Sequence, residues 1–524
     1  MIFSAALNIV TMNNIFFRSS FLLLSFLLFA CGDGNNPISS EKDDGLTDSS
    51  ILVSSVSDLK IEQTLKANEL FISWTNPSEA VIVRITCTPK TESIENELIT
   101  NIQTKSERNG AILLTMKTYD TYLISVVVVD NFGNESETMT LEATPAKEDT
   151  HVFLQWADEL MTSLIDLYFG KSARDCWNGS YPNATGPYWD GDAVVWGQGG
   201  GLSGYVALRG ASLGVDHYED KYVDMTDRMF NSINRFITSD NGKMAYAVYP
   251  ANGNDRFYDD NVWIGLDMAN LYEQTNEQRF LEKAVMVWDY LMTGNDDTCG
   301  GGIHWKEMNG PSNTKHTCST APAAVLGCKL YELTKDTKYL DKTKELYGWL
   351  LKYLQDPVDH LLWDNIRPDM SIDKNKYSYN SGQTMMAACL LYRITGDPTY
   401  LEEAKAIAQS AFSKWFSSYT STQLHKDIYV LNDGESAWFC AVMFRGFLEL
   451  YKQDPSTKDY IVGYAEMMKH AWLSACRNQS TNLLNYGSFR GNTLQTSWEI
   501  LHEGACVEML AHLAKLENDN LLRY

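Results

Sequence analysis

Two adjacent carboxylates, Asp259 and Asp260, stand in the run Tyr258-Asp259-Asp260-Asn261-Val262-Trp263 at the mouth of an apolar helical pattern. Two acids in a dry, aromatic-rimmed site are what cleavage of a glycosidic bond requires, one to attack or to activate water and one to donate a proton. Neighbours at a helix start project about 100° apart. That places their carboxyl groups on the order of 5–6 Å from each other, the spacing of a double displacement, whereas inversion through a bound water needs roughly 6.5–9.5 Å. Two such close acids do not ionise together easily, so one keeps its proton for the leaving oxygen while the other stays charged. Spacing alone does not choose between them. Acid doublets are common on solvated faces and at helix N-caps, and Asp43-Asp44 and Asp296-Asp297 are further examples here. Asp259-Asp260 is set apart by its place in a larger repeat.

That repeat reads Leu271-Tyr272-Glu273-Gln274-Thr275, Leu330-Tyr331-Glu332-Leu333-Thr334 and Leu391-Tyr392-Arg393-Ile394-Thr395, with a weaker Leu450-Tyr451. The tyrosines are 59, 61 and 59 residues apart, and a period near 60 is one helical hairpin with its loops. Helical periodicity sets in after Lys147 and predicts twelve helices, at about 151–169, 199–213, 219–238, 259–274, 277–293, 318–334, 337–355, 379–395, 398–418, 435–452, 457–476 and 496–518. Six hairpins bury their faces by closing into a ring, an (α/α)6 barrel; an open solenoid requires polar capping hairpins, and neither end has one. The even-numbered helices are taken as inner. Each is approached through an unusual loop, in order Trp196 to Gly201, Tyr258 to Asn261, His316 to Thr320, Tyr377 to Gln383, Asp433 to Ser436 and Gln495 to Glu499. All six loops fall at one end of the ring, where they form a cleft.

Four ordered motifs over about 125 residues resemble a known family. Tyr258-Asp259-Asp260-Asn261, Cys299-Gly300-Gly301-Gly302-Ile303-His304-Trp305, Ser319-Thr320-Ala321-Pro322-Ala323 and Tyr377-Ser378-Tyr379-Asn380-Ser381-Gly382 are similar to glycoside hydrolase family 76, the α-1,6-mannanases. The resemblance covers roughly Asp149 to Leu516. It implies an (α/α)6 barrel that cleaves α-1,6-linked mannan with retention and without a cofactor, Asp259 matching the nucleophile and Asp260 the acid/base. Gly199-Gly200-Gly201 departs from the family pattern, which leaves the subsite wall near Trp196 open. Trp189, Asn261, His304, Trp305, Tyr379 and Asn380 are the expected sugar contacts. Trp263 is equally a platform or a core residue, and the alternative roles of His304 and Asn380 are structural hydrogen bonding and helix capping. Glu435 and Glu499 are spare carboxylates on the same rim. An inverting enzyme using one of the aspartates with Glu435 is one competing reading, and a non-catalytic glycan-binding surface lipoprotein is another; the adjacent aspartates favour the enzyme.

Composition narrows the partners. A net charge of −24 repels phosphate backbones and argues against nucleic acid, while a neutral polysaccharide remains compatible. The 28 Tyr and 14 Trp supply flat apolar faces on which sugars stack, though most of them serve the core. Residues 1–30, with the start at Met1 or Met12, read as an export signal: Arg18 precedes an apolar run too short to span a bilayer. Leu28-Phe29-Ala30-Cys31 resembles a lipobox, which implies lipidation of Cys31, a flexible tether over 31–50 and an outer-membrane-associated lipoprotein. Residues 51–146 alternate with period two, as in Leu70, Ile72 and Trp74 and in Tyr122, Ile124, Val126 and Val128. They predict a small β-sandwich resembling a fibronectin type III domain, a spacer before the barrel at 148–524. The remaining cysteines have no metal-ligand spacing. Cys299 and Cys318 are the candidates for a disulfide, with two free thiols the favoured alternative. A monomer is expected.

Overall fold

The computed structural model describes residues 53–519 and 521, apart from 65, 105–107, 148–149, 173, 184–190, 241, 252–254, 308–313 and 492–494. The export signal, Cys31 with its tether, and Trp189 lie outside the described residues.

The alternating segment forms seven strands, β1 (Ser57–Gln63), β2 (Glu69–Thr75), β3 (Ile82–Pro89), β4 (Leu98–Gln103), β5 (Asn109–Thr115), β6 (Tyr122–Val129) and β7 (Met139–Ala143). They make two antiparallel sheets, β1-β2-β5 and β4-β3-β6-β7. Inward residues of β2, β3 and β6, among them Ile72, Trp74, Val83, Ile85 and Ile124, fill the space between the sheets. Trp74 lies across the backbone of β5: a Cβ on Gly110 would come within 2.2 Å of its ring, so only glycine fits. Buried Tyr122 turns its hydroxyl back to Thr118, whose backbone N–H donates to it at 3.1 Å.

Thirteen α-helices follow among the described residues: α1 (Val152–Tyr168), α2 (Val195–Ser212), α3 (Asp216–Asp224), α4 (Thr226–Asn234), α5 (Tyr258–Thr275), α6 (Gln278–Thr293), α7 (Thr317–Thr334), α8 (Thr337–Tyr353), α9 (Ser378–Thr395), α10 (Pro398–Trp415), α11 (Ala437–Gln453), α12 (Lys458–Leu473) and α13 (Ile500–Asn518). Each of α2, α5, α7, α9, α11 and α13 packs on the next, and α13 packs back on α2, so six inner helices close a ring. The expected third helix is broken at Met225 into α3 and α4. Three β-hairpins, Ile237–Asp240 with Lys243–Tyr246, Trp363–Ile366 with Ile372–Lys376, and Phe416–Ser421 with Lys426–Leu431, fill connections between the expected helices, the first and third taking the last residues of the expected 219–238 and 398–418 helices.

The repeated Leu-Tyr-x-x-Thr is the end of an inner helix. Asn276, Lys335 and Gly396 adopt the left-handed conformation, and their N–H groups return to the carbonyls of Tyr272, Tyr331 and Tyr392. The threonine hydroxyls of Thr275, Thr334 and Thr395 donate to the carbonyls of Leu271, Leu330 and Leu391 at 2.6–2.7 Å. Otherwise unpaired carbonyls of the last turn are thereby satisfied. Each of these hydroxyls also accepts the N–H two residues on, which turns the chain toward the next helix.

The glycine run of α2 closes the ring. A Cβ on Gly204 would sit 2.5 Å from the Gly504 carbonyl oxygen, and one on Gly504 would sit 2.3 Å from that of Gly200, so α2 and α13 touch backbone to backbone. What departs from the family pattern is thus a packing requirement, and α2 begins at Val195, four residues before the expected start. Inner helices are buried on nearly every face, and each fully buried Leu or Ile contributes about 1.5–3 kcal/mol relative to exposure. The barrel and the sandwich have separate cores. Between them lies a half-exposed Lys66–Glu159 ion pair at 3.0 Å, a type that contributes about 0–1 kcal/mol. No helix among the described residues is long and apolar enough to cross a membrane.

Candidate active site

The inner helices begin at one end of the ring, around a cavity of about 480 Å³. Trp196 of α2, Asp259, Asp260 and Trp263 of α5, Cys318 of α7, Tyr379 of α9 and Trp438 and Phe439 of α11 line it, together with Val194, Val248, Phe257, Trp305, His316, Asp364 and Tyr377. Five of the six inner helices contribute. The start of α13 does not, so Glu499 lies outside the cavity wall, and Glu435 does too.

Asp259 and Asp260 occupy the first turn of α5, whose free N–H groups favour negative charge. Phe257, in extended conformation, leads into the helix, and the Tyr258 N–H donates to the carbonyl of Trp305 at 2.9 Å. Asn261 holds this start from below. Its amide donates to the carbonyls of Tyr246 and Phe257, both at 2.8 Å, and accepts the Tyr246 N–H at 2.7 Å. Asn261 is fully buried and has spent its amide on the backbone, so the structure does not bring it to a sugar.

The loop from Cys299 to Trp305 aims the indole. Cys299, Gly300, Gly301 and Gly302 all have positive φ, and a Cβ on Gly302 would meet the Trp349 ring at 2.6 Å. Fully buried Lys315 clamps the loop, donating to the carbonyls of Gly294 and Gly302 and pairing with Asp296 at 2.8 Å. His304 is spent on the same clamp. It is buried, one ring nitrogen lies 2.9 Å from Asp296 and the other 3.3 Å from the Thr314 carbonyl, and it is not in the cavity. Despite partial burial, the Lys315 and His304 bonds hold Asp296 well below the usual carboxylate range. Trp305 is 39% exposed in the cavity wall and its Nε1–H donates to Asp259 Oδ2 at 3.0 Å. It therefore orients the carboxylate as well as offering a flat face, and it rests on His316 with ring centroids 5.6 Å apart.

The two acids have unequal surroundings. Asp259 Oδ2 accepts from Trp305 and from the Cys318 thiol at 3.6 Å, and its Oδ1 accepts the Asp260 backbone N–H at 3.0 Å. Among the described residues no donor reaches the Asp260 carboxylate. Both keep some surface open to the cavity while protein packs closely around them. Burial pushes Asp259 up to about 6 against the pull of its three donors. Burial, and then the charge of Asp259, push Asp260 well above the carboxylate range. One acid is thus built to be charged and the other to hold a proton.

The motif from Tyr377 to Gly382 splits by direction. Tyr377 and Tyr379 face the cavity. Asn380 is fully buried and its amide lies behind the wall, 3.4 Å from Asp364 Oδ1, while the Ser381 hydroxyl accepts the Leu362 N–H. Together they seat the strand that carries Asp364. This third carboxylate is raised by burial, against hydrogen bonds from Asn365 and Asn380, and lies 3.8 Å from His316 Nδ1. Burial lowers His316 to about 4, so its ring is neutral at working pH. Asp364, Trp438 and Phe439 escape a reading of sequence, whereas His316 belongs to one of the six rim loops. Trp363-Asp364-Asn365-Ile366 before Pro368-Asp369 is a hairpin signal, whereas Trp438 sits in a helical pattern identical to core. Trp263 is only 3% exposed yet lines the cavity, set edge to face against Trp438. Cys299 and Cys318 are both free and buried, the first directed at the Ile366 carbonyl and the second at Asp259. Among the described residues no cluster of three or more His, Cys, Asp or Glu is placed to hold a metal ion.

A family model described as glycosyl hydrolase family 76 matches residues 154–521. A family 76 mannosidase from Bacteroides thetaiotaomicron VPI-5482 is 50% identical and superposes with a TM-score of 0.68, over 70% of this chain and 100% of that one. A second family 76 glycoside hydrolase, from a bovine Bacteroides thetaiotaomicron strain, is 41% identical with a TM-score of 0.68, over 88% of this chain and 99% of its own. That match is longer than the barrel, so it takes in part of the sandwich as well. The α-1,6-mannanase of Salegentibacter sp. HEL1_6, 23% identical with a TM-score of 0.55 over 69% of this chain and 98% of its own, shares the fold. The meiotically up-regulated gene 191 protein of Schizosaccharomyces pombe is 26% identical over 211 residues, 36% of this chain, which spans only 47% of that relative. With the family model running from α1 to the C-terminal end of α13, the chain belongs to glycosyl hydrolase family 76 and is a glycoside hydrolase.

Proposed function

We propose that the protein cleaves α-1,6-mannosidic bonds within mannan backbones, with retention, by double displacement. Asp259 attacks the anomeric carbon while Asp260 protonates the departing oxygen; Asp260 then takes a proton from the water that releases the sugar from Asp259. The observation that carries this reading is the asymmetry of the pair, three donors on Asp259 and, among the described residues, none on Asp260. The mannose configuration rests on the sequence motifs and on the 50% identical mannosidase. Aromatic walls suit a sugar: Trp263, Tyr379 and Trp438 offer apolar faces, and Asp364 and the neutral His316 offer polar partners for hydroxyls. Trp196, Trp305 and Tyr377 stand partly exposed at the rim, which supports binding of a chain on both sides of the cut. Proton NMR during hydrolysis of an α-1,6-linked manno-oligosaccharide tests the mechanism. The first product is expected as the α-anomer; an initial β-anomer rules out double displacement.

The sandwich is, on our reading, a fibronectin type III-like spacer between a lipidated Cys31 and the barrel, and the mature enzyme is an outer-membrane-associated monomer. Its sheet order, separate core and weak junction with the barrel support the spacer role. A chain starting at Glu148 is expected to leave the membrane fraction and to keep its rate on soluble oligosaccharide within about tenfold, roughly 1.4 kcal/mol. A folded barrel that loses more than this assigns the sandwich to the site. A full-length protein with an unmodified Cys31 by mass spectrometry removes the anchor.

A further inference from the structure

We propose that Cys318 is a positioning residue for the reaction, its thiol donating to Asp259 and, with Trp305, holding the attacking carboxylate charged and in place. The inference rests on the reading of Asp259 as nucleophile. Cys318 is the second residue of α7, 3% exposed, and its Sγ lies in the cavity wall 3.6 Å from Asp259 Oδ2, within the range of a sulfur hydrogen bond. The geometry gives that oxygen two donors from two separate elements, the indole on the glycine-rich loop and the thiol at the helix start. A carboxylate on the first turn of a helix is otherwise free to rotate about its side-chain bonds; donors from two directions fix it in one rotamer, as near-attack geometry requires.

A thiol suits this place. Burial first, and then the charges of Asp259 and Asp364, push Cys318 well above its ordinary value, so the sulfur keeps its proton and acts as a donor across the working pH range. S–H is a weak donor. It steadies the charge without lowering its basicity as far as a hydroxyl does, and the nucleophile retains its strength. The titratable groups lining the cavity around the pair are Asp260 on α5, Asp364 on the strand Trp363–Ile366, Tyr377 before α9 and Tyr379 on it, and neutral His316 at the entry to α7.

The test compares Cys318→Ala and Cys318→Ser with the full-length enzyme in pH profiles of kcat/KM on an α-1,6-linked manno-oligosaccharide. Asp259 works ionised, so the rate falls as pH drops through its titration. A donor to the ionised form lowers that point. Its removal in Cys318→Ala is expected to move the acidic limb up by about half a pH unit, a loss of about threefold on that limb, while Cys318→Ser restores it to or below the wild-type position. The second arm reads the bond itself. The S–H infrared band that disappears in Cys318→Ala is expected at low frequency in the wild type and at higher frequency in Asp259→Ala, where the acceptor is gone. Acidic limbs that coincide in all three enzymes, or an S–H band indifferent to Asp259→Ala, overturn the proposal. An Asp259→Ala enzyme that still turns over instead overturns the nucleophile assignment, on which the infrared arm does not depend.

Discussion

Replacement of Asp259 by alanine is expected to lower turnover on every substrate by about four orders of magnitude or more, the range seen when one member of a covalent catalytic unit is removed. The loss falls on aryl mannosides with good leaving groups as heavily as on mannan, because the first step needs a nucleophile whatever departs. Stability is expected to move the other way. Burial raises the folded-state pKa of Asp259 to about 6, above its value in the unfolded chain. Between about pH 4 and pH 6 the native state therefore binds more protons than the unfolded state, and stability declines as pH rises through that window. Asp259→Ala removes this penalty and the repulsion on Asp260, so the variant melts at or above the wild-type temperature at neutral pH. A residue that served only the fold would lose stability together with activity. A variant with both activity and melting temperature depressed therefore contradicts the assignment.

What could be read from the sequence follows from how locally each feature is determined. Leu-Tyr-x-x-Thr marks the ends of inner helices because left-handed capping and the threonine hydroxyl bond involve residues within one turn. Ring closure follows from six such hairpins. Asp259 and Asp260 stand out because neighbours in sequence stay neighbours at a helix start. Asn261, His304 and Asn380 sit in the right motifs with the right groups for sugars, yet all three are buried, Asn261 and His304 bonded to the protein through both polar atoms and Asn380 through its NH2 group. Buried backbone and side-chain groups at a loop-built rim demand partners, and that demand is invisible until the loops are folded. Gly200, Gly204 and Gly504 show the reverse case. Read as a loop and a departure from pattern, the α2 glycines are helical, and their need for backbone contact is set by α13, some 300 residues away. Asp364 was hidden because its hairpin lies inside a run of helices, and Trp438 because a cavity aromatic and a core aromatic have the same periodicity.

Asp260→Ala is expected to separate substrates by leaving group. A mannan linkage departs as a poor alkoxide and needs its proton, so its cleavage falls by about 10²–10⁴-fold, the usual contribution of general acid catalysis. An aryl mannoside whose phenolate leaves unaided keeps most of its first step and stalls at the second, where no base activates water. Added azide needs no base. It should therefore release the stalled sugar as the α-mannosyl azide, retaining configuration because it displaces Asp259 from the face opposite the bond. In Asp259→Ala the same anion can enter only in place of the missing carboxylate, so any azide formed there is β. The pH profile supplies a second, independent reading. Asp260 acts protonated in the first step, so the basic limb belongs mainly to it and is expected to vanish in Asp260→Ala. Asp260 is neutral in the range where Asp259 titrates, so its loss removes no charge there and the acidic limb is expected to stay near its wild-type position. If aryl mannosides and mannan suffer alike, and the basic limb survives the substitution, the proton comes from another group. Asp364, the remaining carboxylate on the cavity wall, is then the residue to replace next.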